Sequence, residues 1–357
     1  MKRYFPVLLL CCIIYFVIDN QEVVTNFFEK AETQLTNHLN EIQSNGYLVN
    51  EQDLSGLEDS GITGKEYSFD TEYYPYYNYL TVEGQILYKQ VYANMEHLAT
   101  TFIPTINITK DEVKTVMEAV YNDHPELFWI NTSYSYKYIQ DDIVVQITLS
   151  YNETSKDIET SKINWEKSTN KIIEGAKQYN TDYEKELYVH NEILKLTHYN
   201  PNAPMNQSAY SALVNGETVC AGYARAFQYI MIKLQIPTYY VTGYSNQEHA
   251  WNIIKLDEEY YNIDLTWNDT SNNHYQFFNL SDNEFKNTHT RNSLSVKLPT
   301  CKGTKYKYVN TLTNNSPIQD TIIENTNINN PPLTNNNEHH EETYHEHNSN
   351  HHVEIYH

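Results

Sequence analysis

The chain is poor in positive charge. Its 357 residues carry 24 Lys and Arg against 46 Asp and Glu, a formal net charge of −22. No basic cluster offsets that balance, which argues against nucleic acid as a partner and against an anionic membrane surface. Cysteine is scarce as well. Of the four, Cys11 and Cys12 lie in an N-terminal apolar run, which leaves Cys220 and Cys301 in the body. Two cysteines can form one bridge at most. The context of Cys220 favours a free thiol over that bridge. Zinc-binding sets of cysteines are missing. Long apolar runs are missing too: Phe5 to Ile18 falls short of the roughly 20 residues a spanning helix needs.

The N-terminal run follows Lys2-Arg3 and has the length of a signal-sequence core. The polar stretch Asp19-Asn20-Gln21-Glu22 suits a cleavage site poorly. Residues 1–20 are therefore read as a signal peptide or a short membrane anchor. Either one implies a secreted or membrane-anchored extracellular protein, with cell-surface or membrane association through the N-terminus. Seven Asn-x-Ser/Thr sites occur. In so Asn-rich a chain that is about what chance supplies, so they add little weight.

The chain has room for two modest domains with tails. Val23 to Asn45 has amphipathic helical spacing, and residues 21–70 read as a helical stalk and linker. Residues 71–155 read as a small α+β domain. Its helices are Leu80 to Leu98 and Lys110 to Tyr121, the latter with Thr109 as N-cap. Its strands are Tyr134 to Tyr138 and Ile143 to Tyr151. Residues 156–310 read as a further domain, entered through helices at Ile158 to Tyr179 and Asp182 to Thr197. From about Thr311 the composition turns to Asn, Thr and Pro, then His and Glu. Residues 311–357 read as a disordered tail. Its histidines, such as His339, His340 and His345, fit no fixed coordination geometry, so no metal site is assigned there.

The chemistry centres on Thr218-Val219-Cys220-Ala221-Gly222-Tyr223-Ala224-Arg225. Asn215-Gly216 reads as a turn, and Cys220 to Leu234 as a helix ended by Ile236-Pro237. Cys220 therefore stands at a helix N-terminus, where unpaired N–H groups and the dipole favour a thiolate. His249 and Asp264 stand in two strand-like stretches joined by a tight turn at Asp257-Glu258. If Leu256 pairs with Glu259, His249 falls opposite Thr266. Asp264 is then two residues away on the same face, within reach of the imidazole.

Cys220 with Ala221-Gly222-Tyr223-Ala224, then His249-Ala250-Trp251-Asn252, then Asp264-Leu265-Thr266-Trp267, resembles the transglutaminase-like superfamily in its microbial secreted or surface-linked form. The resemblance covers roughly Tyr183 to Tyr308. Asp123-His124-Pro125-Glu126-Leu127-Phe128-Trp129 also resembles an upstream stretch of those proteins, and Tyr275 to Ser281 their closing strand and loop. It implies an α+β fold with a papain-like core: a helix bearing Cys220 packed on an antiparallel sheet bearing His249 and Asp264. It also implies thiol-dependent acyl transfer on carboxamide or peptide bonds, by hydrolysis or protein cross-linking, with a protein or peptide substrate and no cofactor. Cys220 would be the nucleophile, His249 the base and Asp264 its orienter. Tyr210 is a candidate second oxyanion donor. Trp251 and Trp267 are candidate cleft walls, with core packing expected for at least one of them. Glu248 is the nearest candidate for holding an acceptor amine, although a hairpin-end residue reads first as solvated. The other reading is an inactive version of the fold serving as a surface or binding protein.

Overall fold

The computed structural model describes residues 42–50, 54 and 61–309. The signal segment, the stalk helix up to residue 41 and the tail from 310 lie outside the described residues. The described residues up to Tyr308 form one compact unit.

In chain order the strands are β1 (Gln43–Leu48), β2 (Thr101–Phe102), β3 (Ile130–Tyr138), β4 (Val144–Tyr151), β5 (His198–Tyr199), β6 (Glu217–Thr218), β7 (Thr238–Ser245), β8 (Gln247–Leu256), β9 (Glu259–Ile263) and β10 (Thr290–Arg291). The helices are α1 (Pro75–Asn78), α2 (Val82–Glu96), α3 (Lys110–Asp123), α4 (Ile158–Ala176), α5 (Asp182–Leu196), α6 (Cys220–Lys233), α7 (Leu265–Thr270) and α8 (Asp282–Phe285). Among the described residues no helix is long and apolar enough to cross a membrane.

The fold is α+β. One sheet runs β1-β3-β4-β2 and the other β10-β7-β8-β9, the latter antiparallel throughout. β5 and β6 make a short parallel pair. A continuous apolar core joins the two halves. Phe128, Trp165 of α4 and Tyr210 meet in it, with ring centroids 4.9 to 6.4 Å apart.

Local sequence explains the helix starts. Thr109 with Glu112, Thr181 with Glu184 and Ser281 with Glu284 form reciprocal capping boxes at α3, α5 and α8. Each satisfies two N–H groups that the helix cannot use itself. α6 differs: its N-cap is Val219, which offers no capping side chain.

Three local expectations are corrected. Gln43 to Asn45 belong to strand β1, parallel to β3, and not to the end of a helix. Ser44-Asn45-Gly46 is weak helix material, and the open edge of β3 takes the segment as a strand. Asp264-Leu265-Thr266-Trp267 is not strand. The register is as expected, with Leu256 against Glu259 and Asn252 against Ile263. The chain then leaves the sheet, because Asp264 caps α7 by accepting from the Trp267 N–H at 3.0 Å. Tyr275 to Ser281 is mostly turn, touching the sheet through one bridge from Leu280 to Asn262. Asn279 sits there at φ 55° and donates to Glu186 of α5 at 2.8 Å, which no regular strand permits.

Candidate active site

The nucleophile's position follows from how α6 is docked. β5 and β6 pair His198 with Glu217 and Tyr199 with Thr218, fixing the chain just before Cys220. Asn200 N–H donates to the Thr218 carbonyl at 2.8 Å. Gly222 allows the close approach: a Cβ there would lie 1.8 Å from the Thr218 hydroxyl. α6 then packs on β7 and β8. Asn252 of β8 donates to the Ala224 carbonyl at 2.9 Å and locks helix to sheet.

The hairpin β8–β9 supplies the other two groups. His249 Nε2 and Asp264 Oδ2 are 2.7 Å apart. Both are buried, at 4 % and 0 % exposure. His249 also shares a hydrogen bond with Cys220, and Nδ1 is the nitrogen left for the sulfur. Cys220 itself is 4 % exposed and packs in a small buried cluster with Ala224, Tyr240 and Ala250. Cys220, His249 and Asp264 thus form a continuous relay.

A fourth residue joins that relay. His289 Nε2 lies 3.0 Å from the same Asp264 oxygen. Its Nδ1 is 2.8 Å from the Thr288 hydroxyl, and its ring stacks on Phe285 at 3.8 Å. The carboxylate is an acceptor, so both imidazoles donate to it through Nε2. His249, Asp264 and His289 are also the one group of potential metal ligands among the described residues. Both ring nitrogens converge on Oδ2, where an ion would have to displace the carboxylate. The arrangement is that of two hydrogen bonds.

Electrostatics follow from these contacts. Burial opposes a charged His249, but the Asp264 carboxylate, its hydrogen bond and the Cys220 sulfur outweigh burial and raise the imidazole well above its ordinary value. Burial would push Asp264 up, yet His249 and the hydrogen bonds from His249 and His289 hold it well below the usual carboxylate range. Burial lowers His289 despite its contact with Asp264. A neutral His289 carries its proton on Nε2 and accepts at Nδ1 from Thr288.

Among the flanking groups, Tyr210 is the one that departs from expectation. Trp251 is buried behind His249, its ring against Phe285 and His289, and belongs to the core. Trp267 is half-buried, its ring 6.2 Å from His249. Tyr210 lies in the aromatic core against Phe128. Tyr199 is instead the phenol that senses Cys220. Burial, then the charge of Cys220, raise it to about 12. It stays 39 % exposed. Glu248 accepts from Asn292 at 3.2 Å. Cys301 and Cys220 are both buried, and neither is in a disulfide. Burial and the Asp282 carboxylate push the Cys301 thiol far up, making it a poor nucleophile.

Residues 169–265 match the model of the Transglutaminase-like superfamily. No curated protein matches the chain. Among solved structures, one titled a TGase is 16 % identical at TM-score 0.28, covering 52 % of this chain and 55 % of its own. A candidate cysteine protease from Cytophaga hutchinsonii is 16 % identical at TM-score 0.27, covering 42 % and 55 %. The periplasmic domain of TgpA from Pseudomonas aeruginosa is 15 % identical at TM-score 0.25, covering 36 % and 58 %. The chain therefore spans little more than half the length of each.

Proposed function

Since residues 169–265 carry the transglutaminase-like core, we propose that this protein is a cysteine enzyme that transfers acyl groups from carboxamide or peptide bonds. The observation that carries the reading is the buried relay from Cys220 through His249 to Asp264. A cysteine at a helix start is common as a core residue, but one hydrogen-bonded to an imidazole that a carboxylate orients is equipped for attack.

The steps balance as follows. Cys220 gives its proton to His249, and the sulfur attacks the carbonyl carbon. The oxyanion meets the Cys220 N–H, one of the first-turn donors that α6 does not use itself. Tyr199, a half-exposed phenol whose ionisation the Cys220 charge opposes, is the candidate second donor. His249 returns the proton to the departing amine, leaving a thioester. Water or a second amine attacks the thioester, gives its proton to His249, and releases acid or new amide with the thiol restored. Asp264 stabilises the imidazolium and fixes the tautomer, and His289 holds Asp264.

Hydrolysis competes seriously with transfer. Water is present at about 55 M, so an amine at millimolar concentration must gain from positioning. Glu248, the nearest acidic group to His249 in sequence, is already tied to Asn292. The N-terminal apolar run supports placement outside the cytoplasm, which fractionation of the full-length protein tests.

The deciding experiment incubates purified protein with a glutamine-rich protein and a labelled amine, and follows hydrolysis and amine incorporation by mass spectrometry. Both should occur, with hydrolysis dominant at low millimolar amine. Cys220→Ala should lose turnover by on the order of 10⁴-fold or more while keeping its circular dichroism, and Cys301→Ser should turn over normally. Full activity in folded Cys220→Ala would overturn the mechanism. Complete inertness of the wild type would favour a binding protein.

A further inference from the structure

A cavity of about 120 Å³ opens between α3, α6 and β7, one side chain away from the nucleophile. Tyr240 forms one wall and packs in the same buried cluster as Cys220. Glu248, the residue before His249, forms another. A cavity of this size flanking a reacting group has room for a substrate side chain.

Its polar groups have a definite balance. The Arg225 guanidinium lies between the rings of Tyr121 and Tyr240, at 4.0 and 4.3 Å, and is 5 % exposed. Its Nη1 donates to the Tyr121 carbonyl, but its Nε has no partner among the described residues. The Nδ2 of Asn122, 2 % exposed, has none either. Buried N–H groups without an acceptor are costly, which makes them pointers to something that fills the site. Glu118 is turned to other donors, accepting from the Ser293 hydroxyl at 2.6 Å and the Leu294 N–H at 3.2 Å. One lone acceptor remains, Asn292 Oδ1, whose amide nitrogen is used on Glu248.

Charge narrows the ligand. Arg225 and Lys114 are balanced by Glu118 and Glu248, so the cavity is formally neutral. A carboxylate would upset that balance in a chain already at −22. An aliphatic group would leave the N–H groups unsatisfied. A neutral group with an acceptor at one end and a donor at the other meets every requirement.

Resting on the acyl-transfer reading above, we propose that this cavity is a substrate subsite that takes an amide group next to the bond being cut. The amide oxygen accepts from Arg225 and Asn122, and its N–H donates to Asn292 Oδ1. Either a Gln or Asn side chain or a peptide group can supply it.

The test measures alkylation of Cys220 in the full chain by iodoacetyl-Gly-Xaa-amide probes, with Xaa as Gln, Glu or Leu and with iodoacetamide as reference. A fourth probe replaces the Gly-Leu amide by an ester. The Gln probe should react about tenfold faster than the Glu and Leu probes, the worth of about one good hydrogen bond. Equal rates for Gln and Leu with a tenfold loss for the ester would assign the amide to the backbone and still support the subsite. Asn292→Ala and Arg225→Met should erase the advantage while leaving iodoacetamide labelling unchanged. If Arg225→Met fails to fold, Asn292→Ala decides. A reactive thiol that shows no preference among the four probes overturns the subsite alone. A thiol inert to iodoacetamide overturns the proposed function and the subsite with it.

Discussion

Two buried aspartates, each beside a histidine, behave in opposite ways. Asp123, at the end of α3, accepts from the Tyr76 and Tyr77 N–H groups at 3.3 and 2.9 Å and from the Tyr88 hydroxyl at 2.9 Å. His124 turns its Nε2 to the same Tyr88 hydroxyl and its Nδ1 to Glu126 at 2.6 Å. Asp264 meets the imidazoles of His249 and His289 directly. Both aspartates are 0 % exposed. Burial pushes Asp123 up to about 7, because three neutral donors and the neighbouring His124 do not fully offset desolvation. Asp264 goes down because an imidazole that can carry charge touches it. Burial sets the cost of a carboxylate; the partner in contact decides whether it ionises. The first arrangement fastens α1 to α3. The second, with a thiol next to its histidine, can run a reaction.

Exchanging each aspartate for its amide tests that difference most sharply. Asp264→Asn should lower kcat by on the order of 10³-fold, since the amide cannot stabilise the imidazolium. The alkaline limb of the rate profile should move to lower pH, because His249 loses the carboxylate that raises it. Asp123→Asn should leave kcat within about twofold and instead cost stability, about 1–3 kcal/mol, by disturbing buried hydrogen bonds. Equal kinetic losses in both variants would erase the distinction.

His289 gives a smaller effect. As a positioning residue it should show a kcat loss of about tenfold in His289→Phe with KM unchanged. His289→Gln, which keeps a donor for Asp264, should recover part of it. A change in KM alone, or equal losses in the two variants, would assign His289 to packing only.

The smallest effect is a slope in stability. Asp123 has a raised folded value, so the stability it contributes is full below the unfolded value of about 3.9. It is lost as pH rises through about 7. Asp264 has the opposite sign, contributing above about 3.9 and losing that contribution as pH falls toward its depressed value. Urea unfolding between pH 4 and pH 7 should therefore show the wild type losing stability relative to Asp123→Asn as the pH rises.

Much of the site was legible because its parts are local. A turn before a helix marks Cys220, and a two-residue hairpin turn fixes the register that brings His249 toward Asp264. Thr109 as an N-cap announced α3. What stayed hidden depends on distant packing. His289 lies in a short turn-rich stretch with no periodicity, and only the docking of Phe285 under the sheet turns its ring to Asp264. Tyr199 reaches Cys220 through a two-residue parallel pairing too short to leave a pattern. Asp264 read as strand because Ile263 and Leu265 flank it, while its capping role depends on a helix that starts one residue later.

Val219 heads α6 without a capping side chain, although α3, α5 and α8 start with complete capping boxes. For anyone engineering this protein, that position is an opening. A hydroxyl there, as in the near-isosteric Val219→Thr, would recover about 1 kcal/mol of helix stability by accepting from the second or third N–H of the helix, that of Ala221 or Gly222. The Cys220 N–H assigned to the oxyanion lies one residue earlier and keeps its place. Stability and turnover are therefore separable at the head of this helix, and a library ranked by melting temperature can be searched at residue 219 without discarding the active site.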